Sequence, residues 1–366
     1  MTSKNTGLPG AAIWPTAGLI AVCAIGAWFA PKAFFEVWLM AWIFWSGLSF
    51  GGLIVLMLQA LTGGAWAQAV RSPCLALVGT VPAAAVLFLP VLLGAQWIYP
   101  WTDREIFAEH NWPHKEFWLT LPFFTGRAIF IFAVFATLSV LLRRWSAPAD
   151  DKAQTRHLRT ASCIGLILYF ILMTFAATDW VMSLTPQWYS TLFSTILIAG
   201  QFLSALAFLI FVRCRMGGSS PKPFHDLGNL LLAFVVFWTY LTFSQFLLIW
   251  YGNVPREISW YLERCSKGWQ FLALILALIQ FLLPFVLLLS REVKRDPRWL
   301  GRIAALVFAA NILNVYWLVE PSFSPERIAV HWLDPLVFLA VGSVWTVVFL
   351  RNLSRLPIAA EVAPHA

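Results

Sequence analysis

The sequence predicts an all-α, polytopic membrane protein with about ten transmembrane helices, forming a single integral membrane domain over residues 1–366. Three observations predict this fold class. Hydrophobic residues make up 60% of the chain. Charged residues make up only 11%, whereas an ordinary soluble domain has about 25%. The apolar residues are also grouped in runs of about 20, the length that crosses the hydrocarbon core of a bilayer.

Ten apolar runs follow one another along the chain. The predicted spans are 12–30, 34–62, 73–97, 121–142, 160–183, 188–212, 227–251, 267–290, 299–320 and 330–350. The second and seventh are long enough to tilt or to extend beyond the bilayer. The longest loop, 98–120, is too short for a soluble domain, and the first ten residues are too weakly basic for a cleaved signal.

The basic residues are distributed unevenly between the two sides of these spans. Of the 25 Lys and Arg residues, 17 fall on the N-terminal side, seven on the other side, and Arg127 lies inside a span. The positive-inside rule therefore predicts that both termini lie in the cytoplasm. The net charge of +8 comes from residues at the ends of apolar runs and not from one basic stripe, which argues against nucleic-acid binding.

The cysteine and histidine patterns argue against resident metal centres. None of the five cysteines belongs to a CxxC or CxxCH motif, so disulfides, iron–sulfur clusters and c-type haem are disfavoured. No predicted span has a histidine in its interior, as a buried b-type haem would require. No Cys/His spacing suggests a metal site, and GxGxxG and P-loop patterns are absent.

Three further patterns concern packing. Trp and Tyr cluster at proposed span boundaries, at 97–101, 188–190 and 250–251, which is typical of an interfacial belt. Internal prolines predict kinks whose freed backbone groups neighbouring helices must satisfy; they are Pro82, Pro90, Pro284 and Pro335. Small residues within 46–52 predict a close helix–helix contact.

Ionisable residues are concentrated near the outer ends of the spans. Asp179 stands out, because a carboxylate at the centre of a membrane helix costs about 2.5–3.5 kcal/mol on insertion scales and needs a partner or a function. Arg127, Glu320 and Asp334 share its side of the membrane, and His331 precedes Asp334 by three positions, on one helix face. These five residues are the candidate proton-handling group, and His110 and His114 lie in the outer loop.

Each of these candidates has a structural alternative. Arg127 could pair with Asp179 or Glu320 to hold helices together. Glu320 precedes Pro321 and could cap a helix end in water, and His331 with Asp334 could mark a helix N-terminus. His110 and His114 could simply be solvated loop residues.

A second group of polar residues could carry protons from the inner side to Asp179. Its members are Asp226, Thr239, Tyr240, Gln201, Gln245, Gln280, Asn311 and Asn314. With bound water they could form a hydrogen-bonded path. The alternative is ordinary hydrogen bonding between helices.

Several motifs, in order along nearly the whole chain, carry a family resemblance. They are LTGGAW (61–66), LFLPVLLG–WIYPW (87–101), LPFFTGRAIF (121–130), TDWVMSLTPQWYST (178–191), FSQFLLIWYGNVPREISWYL (243–262), PFVLLLSREVKR (284–295) and HWLDPLVF (331–338). Together they resemble the ActF subunit of alternative complex III, a quinol:cytochrome c oxidoreductase, within the NrfD/PsrC-like membrane proteins.

The resemblance implies an architecture, a location and a set of partners. Two four-helix bundles are expected from helices 2–5 and 6–9, in a bacterial cytoplasmic membrane. Expected partners are an ActC-like sister subunit, an iron–sulfur protein, multihaem and monohaem cytochromes c, and small membrane subunits. Haem and iron–sulfur clusters are expected only in those partners. A quinol or quinone is the expected small ligand of the family, with the sister subunit as the better-supported site.

Two positions depart from the family pattern. Gln59–Ala60 precedes LTGG where histidine is often found, and Asn314 stands where an acid is common. Both departures remove titratable groups, so a proton route through these positions would need water or amide relays.

Three functional hypotheses follow. The first is a non-redox membrane subunit of a respiratory or photosynthetic quinol:cytochrome c oxidoreductase that helps to bind quinol or to anchor the assembly. The second is a proton-conducting or purely structural subunit without bound quinone. The third is an independent secondary transporter, which ten spans with Pro and Gly interruptions permit but the run of motifs disfavours.

Overall fold

The computed structural model describes residues 8–103, 105, 117–146, 152–217, 221–328 and 330–356, and the regular structure in these ranges is entirely helical. The long helices are α1 (Leu8–Phe29), α2 (Pro31–Thr62), α8 (Leu121–Trp145), α9 (Lys152–Trp180), α10 (Thr191–Met216), α11 (Pro221–Gly252), α16 (Pro297–Val319) and α17 (Leu333–Ser354). Shorter helices are α3 (Ala65–Ala69), α4 (Arg71–Val78), α5 (Val81–Val86), α6 (Leu89–Leu93), α7 (Ala95–Ile98), α12 (Pro255–Arg264), α13 (Trp269–Leu276), α14 (Leu283–Leu289) and α15 (Arg291–Arg295). The prediction of an all-α polytopic membrane protein is confirmed.

Nine helical segments of the described ranges are long and apolar enough to cross a membrane. They correspond to the second to tenth predicted spans, with ends shifted by a few residues. The first predicted span corresponds to α1, whose stretch Gly18–Phe29 is a shorter apolar helix.

The helices pack as two four-helix groups. Bundle 1 contains α2, the broken span α4–α7, α8 and α9, and bundle 2 contains α10, α11, the broken span α13–α14 and α16. Helices α2 and α10 contact each other closely and join the bundles, while α17 packs on α2, α4 and α1. We call the end of the molecule at which α9 terminates the Asp179 end, and the opposite end the Gln59 end.

Glycines allow α2 to approach its neighbours. A Cβ atom at Gly51 would collide with the backbone carbonyl of Gln201 on α10, and one at Gly52 would lie 2.8 Å from the Leu77 side chain. Close approach through small residues drives helix association where lipid supplies no hydrophobic force between helices. The packing predicted for residues 46–52 is therefore confirmed.

Prolines break the third span into α4–α7, and neighbouring helices satisfy the carbonyls that this break frees. Pro82 has no N–H for the carbonyl of Val78, which instead accepts a hydrogen bond from Ser139 at 2.8 Å. The indole of Trp42 donates to the carbonyl of Ala84 at 2.8 Å, and that of Trp38 to Leu87 at 3.0 Å. These contacts follow the rule that backbone polar groups within a bilayer must be bonded inside the protein.

A proline also accompanies irregular backbone in the eighth span. Between α13 and α14 the chain widens into a π-helix at Ala277–Leu282, immediately before Pro284. A π-segment accommodates the loss of a regular hydrogen bond without breaking the span. Gln280 lies inside this segment and is fully buried.

The aromatic belt predicted at span boundaries is only partly present. Trp250 and Tyr251 are 66% and 86% exposed, as an interfacial position requires. In contrast Tyr99, Trp101 and Trp188 are buried in the protein. Two of them bond to other segments of the protein: the hydroxyl of Tyr99 donates to the carbonyl of Trp180 at 3.2 Å, and the indole of Trp188 donates to the carbonyl of Glu257 at 3.0 Å.

Candidate functional site

Arg127 and Asp179 form a buried ion pair at the Asp179 end of bundle 1. Nε of Arg127 donates to Oδ2 of Asp179 at 2.6 Å, and Nη2 donates to Oδ1 at 2.9 Å. The side chains are 11% and 1% exposed. Two parallel hydrogen bonds of this kind are among the strongest side-chain contacts. Trp118 adds a third donor, with its indole nitrogen 2.9 Å from Oδ1.

The segment before α8 closes over this pair. Nη2 of Arg127 donates to the carbonyl of Trp118 at 3.0 Å, and its guanidinium carbon lies 4.0 Å from the centre of the Trp118 ring. The hydroxyl of Ser183 donates to the backbone carbonyl of Asp179 at 2.5 Å. The Asp179 carboxylate accepts two hydrogen bonds from Arg127 and one from Trp118. It therefore links α9 to α8 and to the loop before α8. The geometry favours the structural alternative for Arg127, with Asp179 as its partner and not Glu320.

Arg264 is a second buried arginine at the same end, in bundle 2. It closes α12, and its side chain is 0% exposed. Nη1 donates to the carbonyl of Trp260 at 3.1 Å, while Nη2 donates to the carbonyl of Leu318 at 2.8 Å and to the hydroxyl of Ser322 at 3.0 Å. Its guanidinium carbon lies 3.7 Å from the centre of the Trp260 ring. Arg264 therefore ties the segment before α13 to the end of α16.

No charge pattern in the sequence marks Arg264 as buried, because it lies in a loop between predicted spans. The one signal is its spacing from Trp260, four positions earlier and hence one helical turn away. Burial lowers the pKa of Arg264 to about 9, and the neighbouring Glu263 carboxylate acts in the opposite direction. The guanidinium is therefore protonated at neutral pH. Carbonyl oxygens and an aromatic face hold it, and Nη1 lies 3.6 Å from Oε2 of Glu263.

Three carboxyl groups gather at the Asp179 end near α17. Glu320 lies close enough to Asp334 and Glu36 to interact with both electrostatically, and it is only 9% exposed. Glu320 does cap the end of α16, as the structural alternative predicts, but its side chain is buried and does not lie in water. Among the residues that the structure describes, Glu320 forms no ion pair, while Glu36 faces Lys32 at 3.9 Å. Glu36 was not among the predicted residues, although an acid early in a span is a visible signal.

His331 and Asp334 do not share a helix face. Helix α17 begins at Leu333, and Oδ2 of Asp334 accepts a hydrogen bond from the backbone N–H of His331 at 2.9 Å. The backbone N–H of Leu333 donates to Nδ1 of His331 at 3.3 Å. The prediction of a helical pair is wrong because these local contacts build a turn that precedes the helix. The alternative of a helix N-terminal feature describes the two residues correctly.

A small polar cavity lies between the bundles where Gln201, Asn311 and Asn314 meet. Its volume, as open to the centre of a water molecule, is about 20 Å³. That is room for about one water, and far less than the roughly 150 Å³ that holds a benzene ring. The cavity therefore does not fit a quinone ring. The hydroxyl of Tyr169 donates to Oε1 of Gln201 at 2.8 Å and fixes one wall.

The other predicted path residues do not join this cavity in a continuous row. The hydroxyl of Thr239 donates to the carbonyl of Val235 in its own helix at 2.8 Å, and Tyr240 is 64% exposed on the outside of α11. Asp226 lies at the Gln59 end, with Oδ1 3.9 Å from Nδ1 of His225. A polar chain from Asp226 to Asp179 is thus interrupted at α11.

Two buried glutamines of the predicted path differ in their contacts. Oε1 of Gln245 accepts a hydrogen bond from the hydroxyl of Ser190 at 3.3 Å. Both polar side-chain atoms of Gln280 are buried without a hydrogen-bond partner. His110 and His114 lie outside the described residues. Within the described ranges, no three His, Cys, Asp or Glu side chains are grouped so that they could hold a metal ion.

Comparison with known proteins adds no family assignment. No protein-family model matches the chain, and no curated protein matches it in sequence.

Proposed function

We propose that this chain is the non-redox membrane subunit of a quinol:cytochrome c oxidoreductase complex of the alternative complex III type. In this proposal the chain anchors the assembly and takes up protons near its outer surface. Electrons from quinol pass to haem and iron–sulfur centres in partner subunits. The proposal is supported by the order of motifs along the chain and by the agreement of the two-bundle architecture with what that resemblance implies.

The observation that carries the proton-handling part is the carboxyl group of Glu320. It is buried, it forms no ion pair within the described residues, its one side-chain partner is the Ser324 hydroxyl, and Asp334 and Glu36 interact with it electrostatically. Carboxyl groups that share a site disfavour each other's ionised forms, so such a group is suited to accept and pass on a proton. Asp179 is less suited, because Arg127 and Trp118 occupy its oxygens.

The proposed orientation places the Asp179 end on the outer face of a bacterial cytoplasmic membrane and both termini in the cytoplasm. The Lys and Arg distribution supports this orientation. Protons released by quinol oxidation would then reach Glu320, Asp334 and Glu36 on the side where they leave. The quinol site itself is assigned to an interface with the sister subunit, since the central cavity holds only a water-sized group.

The variant Glu320→Gln tests this role in the assembled complex. We expect quinol:cytochrome c turnover to fall by about 100-fold, the lower range for loss of a proton-transfer group. The matched control is Glu326→Gln, because Glu326 is 76% exposed and pairs with Lys267 at the same end. Haem content per complex should be unchanged in both variants. Wild-type turnover in Glu320→Gln would contradict the proposal.

Purification of the native chain separates the proposal from its alternatives. A complex subunit should co-purify with haem-bearing partners, visible as a cytochrome spectrum. An independent transporter should be purified alone. A complex that keeps full turnover in Glu320→Gln would instead favour a purely structural or differently routed proton-conducting subunit.

A further inference from the structure

Tyr240 carries a hydroxyl group on the outside of α11, about halfway across the membrane. The residue is 64% exposed. It lies 10 residues before the interfacial Trp250, or about 15 Å at a rise of 1.5 Å per residue. That distance is half the thickness of the hydrocarbon core. A tyrosine side chain is much shorter, so its hydroxyl reaches neither membrane surface.

The hydroxyl of Tyr240 has no hydrogen-bond partner among the described residues. Threonines of the same helix bond within it: Thr239 donates to the carbonyl of Val235 at 2.8 Å, and Thr242 to that of Trp238 at 3.0 Å. Tyrosine cannot do the same, because its ring holds the hydroxyl away from its own backbone. Lipid tails offer no acceptor, and an unpaired polar group in hydrocarbon is strongly disfavoured. An acceptor outside the described part of the chain is therefore expected.

The residues around Tyr240 have the spacing of a helix–helix contact. Along this face of α11, steps of four and three residues alternate, as between the a and d positions of a heptad repeat. All six residues are at least partly exposed, and two of them are small; we call them the α11 seam: Ala233, Phe237, Tyr240, Ser244, Leu247 and Tyr251. The seam covers about 27 Å, nearly the thickness of the hydrocarbon core.

We propose that the α11 seam binds one transmembrane helix of a partner subunit, and that this helix supplies a hydrogen-bond acceptor to the hydroxyl of Tyr240 near the middle of the membrane. Small residues allow the backbones of two membrane helices to approach, and polar side chains bond across such contacts. The acceptor is a side-chain hydroxyl or amide oxygen. This choice of occupant rests on the proposed function, in which the chain is one of several membrane subunits.

A second copy of this chain fits the seam less well. Two copies inserted in the same orientation would pair around a two-fold axis along the membrane normal. Each seam residue would then lie opposite the same residue of the other copy, so that Phe237 meets Phe237 and Tyr240 meets Tyr240. Bulky side chains would face each other at the centre of the contact. A partner helix with small residues at these levels can approach more closely.

Photo-crosslinking in native membranes identifies what contacts the seam. The photoreactive amino acid p-benzoyl-phenylalanine replaces Tyr240 or Leu247 in the full chain, and the adducts are identified by mass spectrometry. The matched control is position 129, because Ile129 of α8 is 63% exposed, like Tyr240. We expect adducts at 240 and 247 with the same membrane-spanning segment of one partner, and no such adduct at 129. Adducts with lipid alone or with a second copy of this chain would overturn the proposal, as would the partner adduct at 129 in equal yield.

Two substitutions test the features of the seam separately. Tyr240→Phe removes only the hydroxyl and should weaken association with the crosslinked partner about threefold, the average for one hydrogen bond between membrane helices. Ala233→Phe places a ring at a point of close approach and should weaken association about tenfold or more. The matched control Ala133→Phe changes an exposed alanine of α8 and should associate like the wild type.

Association is measured as the fraction of the partner retained on the tagged chain across a dilution series in detergent. Wild-type retention in both seam variants would overturn the proposal. The result also separates this contact from the redox role. A partner helix crosslinked to the seam in a complex without haem would contradict the proposed function, whereas the contact would stand with a different complex. A haem-bearing complex without partner adducts at the seam would overturn the contact alone.

Discussion

Arg127 and Arg264 illustrate how single residues are accommodated at the Asp179 end. Each joins the segment that leads into the third span of its bundle to the end of the fourth span. Arg127 does so through a carboxylate, and Arg264 through two carbonyls, a hydroxyl and a tryptophan face. Both solutions meet the requirement that a buried charge must be paired or hydrogen-bonded.

Asp179→Asn should destabilise the protein strongly. Removing one partner of a buried ion pair leaves the other charge uncompensated, which costs about 3–5 kcal/mol. The midpoint of thermal unfolding in detergent, measured by tryptophan fluorescence, checks this. Asp226→Asn is the control, because Asp226 is 36% exposed and should change stability by less than about 0.5 kcal/mol. If both variants unfold at the wild-type midpoint, the structural role given to Asp179 is wrong.

At the scale of elements, the contact between α2 and α10 holds the two bundles together. It depends on glycine, because Gly51 faces the backbone of Gln201 and the side chain of Ala205. The third span depends on a different device. Pro82 frees the carbonyl that Ser139 binds, and Trp38 and Trp42 of α2 bind two further carbonyls of the broken span.

Gly51→Ala should separate α2 from α10 and lower the free energy of unfolding. Overpacking of a tight contact typically costs about 1–3 kcal/mol. The control Gly126→Ala lies in α8, where a Cβ would meet nothing within 4 Å. It should leave stability unchanged or raise it by up to about 1 kcal/mol, because alanine favours the helix. Denaturant titration measures the free energy of unfolding of both variants. Equal destabilisation of the two would show that the close α2–α10 contact does not contribute specifically to stability.

At the scale of the whole molecule, the two ends differ in the residues that they carry. The carboxyl groups of Glu36, Glu320 and Asp334 lie at one end, and a cavity bordered by Gln59 and Arg71 lies at the other. In the proposed orientation, the protons of quinol oxidation leave at the end that carries these carboxyl groups.

Topology fusions test the orientation. Alkaline phosphatase fused after Asn253 should be active, because the proposed orientation places the segment between α11 and α12 outside, whereas a fusion after Ser354 should be inactive. A fluorescent protein that folds only in the cytoplasm should give the reverse pattern. Active phosphatase at Ser354 and inactive phosphatase at Asn253 would show the opposite orientation. The proposed exit side for protons would then be wrong as well.

Hydropathy predicted the second to tenth spans well, because a helix that crosses the bilayer needs about 20 predominantly apolar residues in a row. The ends of α9 and α11 were less predictable: they extend to Lys152 and Pro221, beyond the apolar residues. Side-chain depth was harder still. Arg264 and Lys294 are buried although they lie in predicted loops, and Tyr240 faces outward although it lies within a span.

The fold class and the places where the backbone must be irregular were predictable from the residues alone. Runs of apolar residues, prolines and glycines act locally along the chain, and lipid leaves few alternatives. The sequence also marked Arg127 and Asp179 as costly residues in need of partners. Their pairing with each other, the burial of Arg264 and the position of Glu320 near Glu36 and Asp334 are visible only in the folded protein. These contacts join segments that are distant in sequence, and the packing of all the helices together sets which face of each one turns inward.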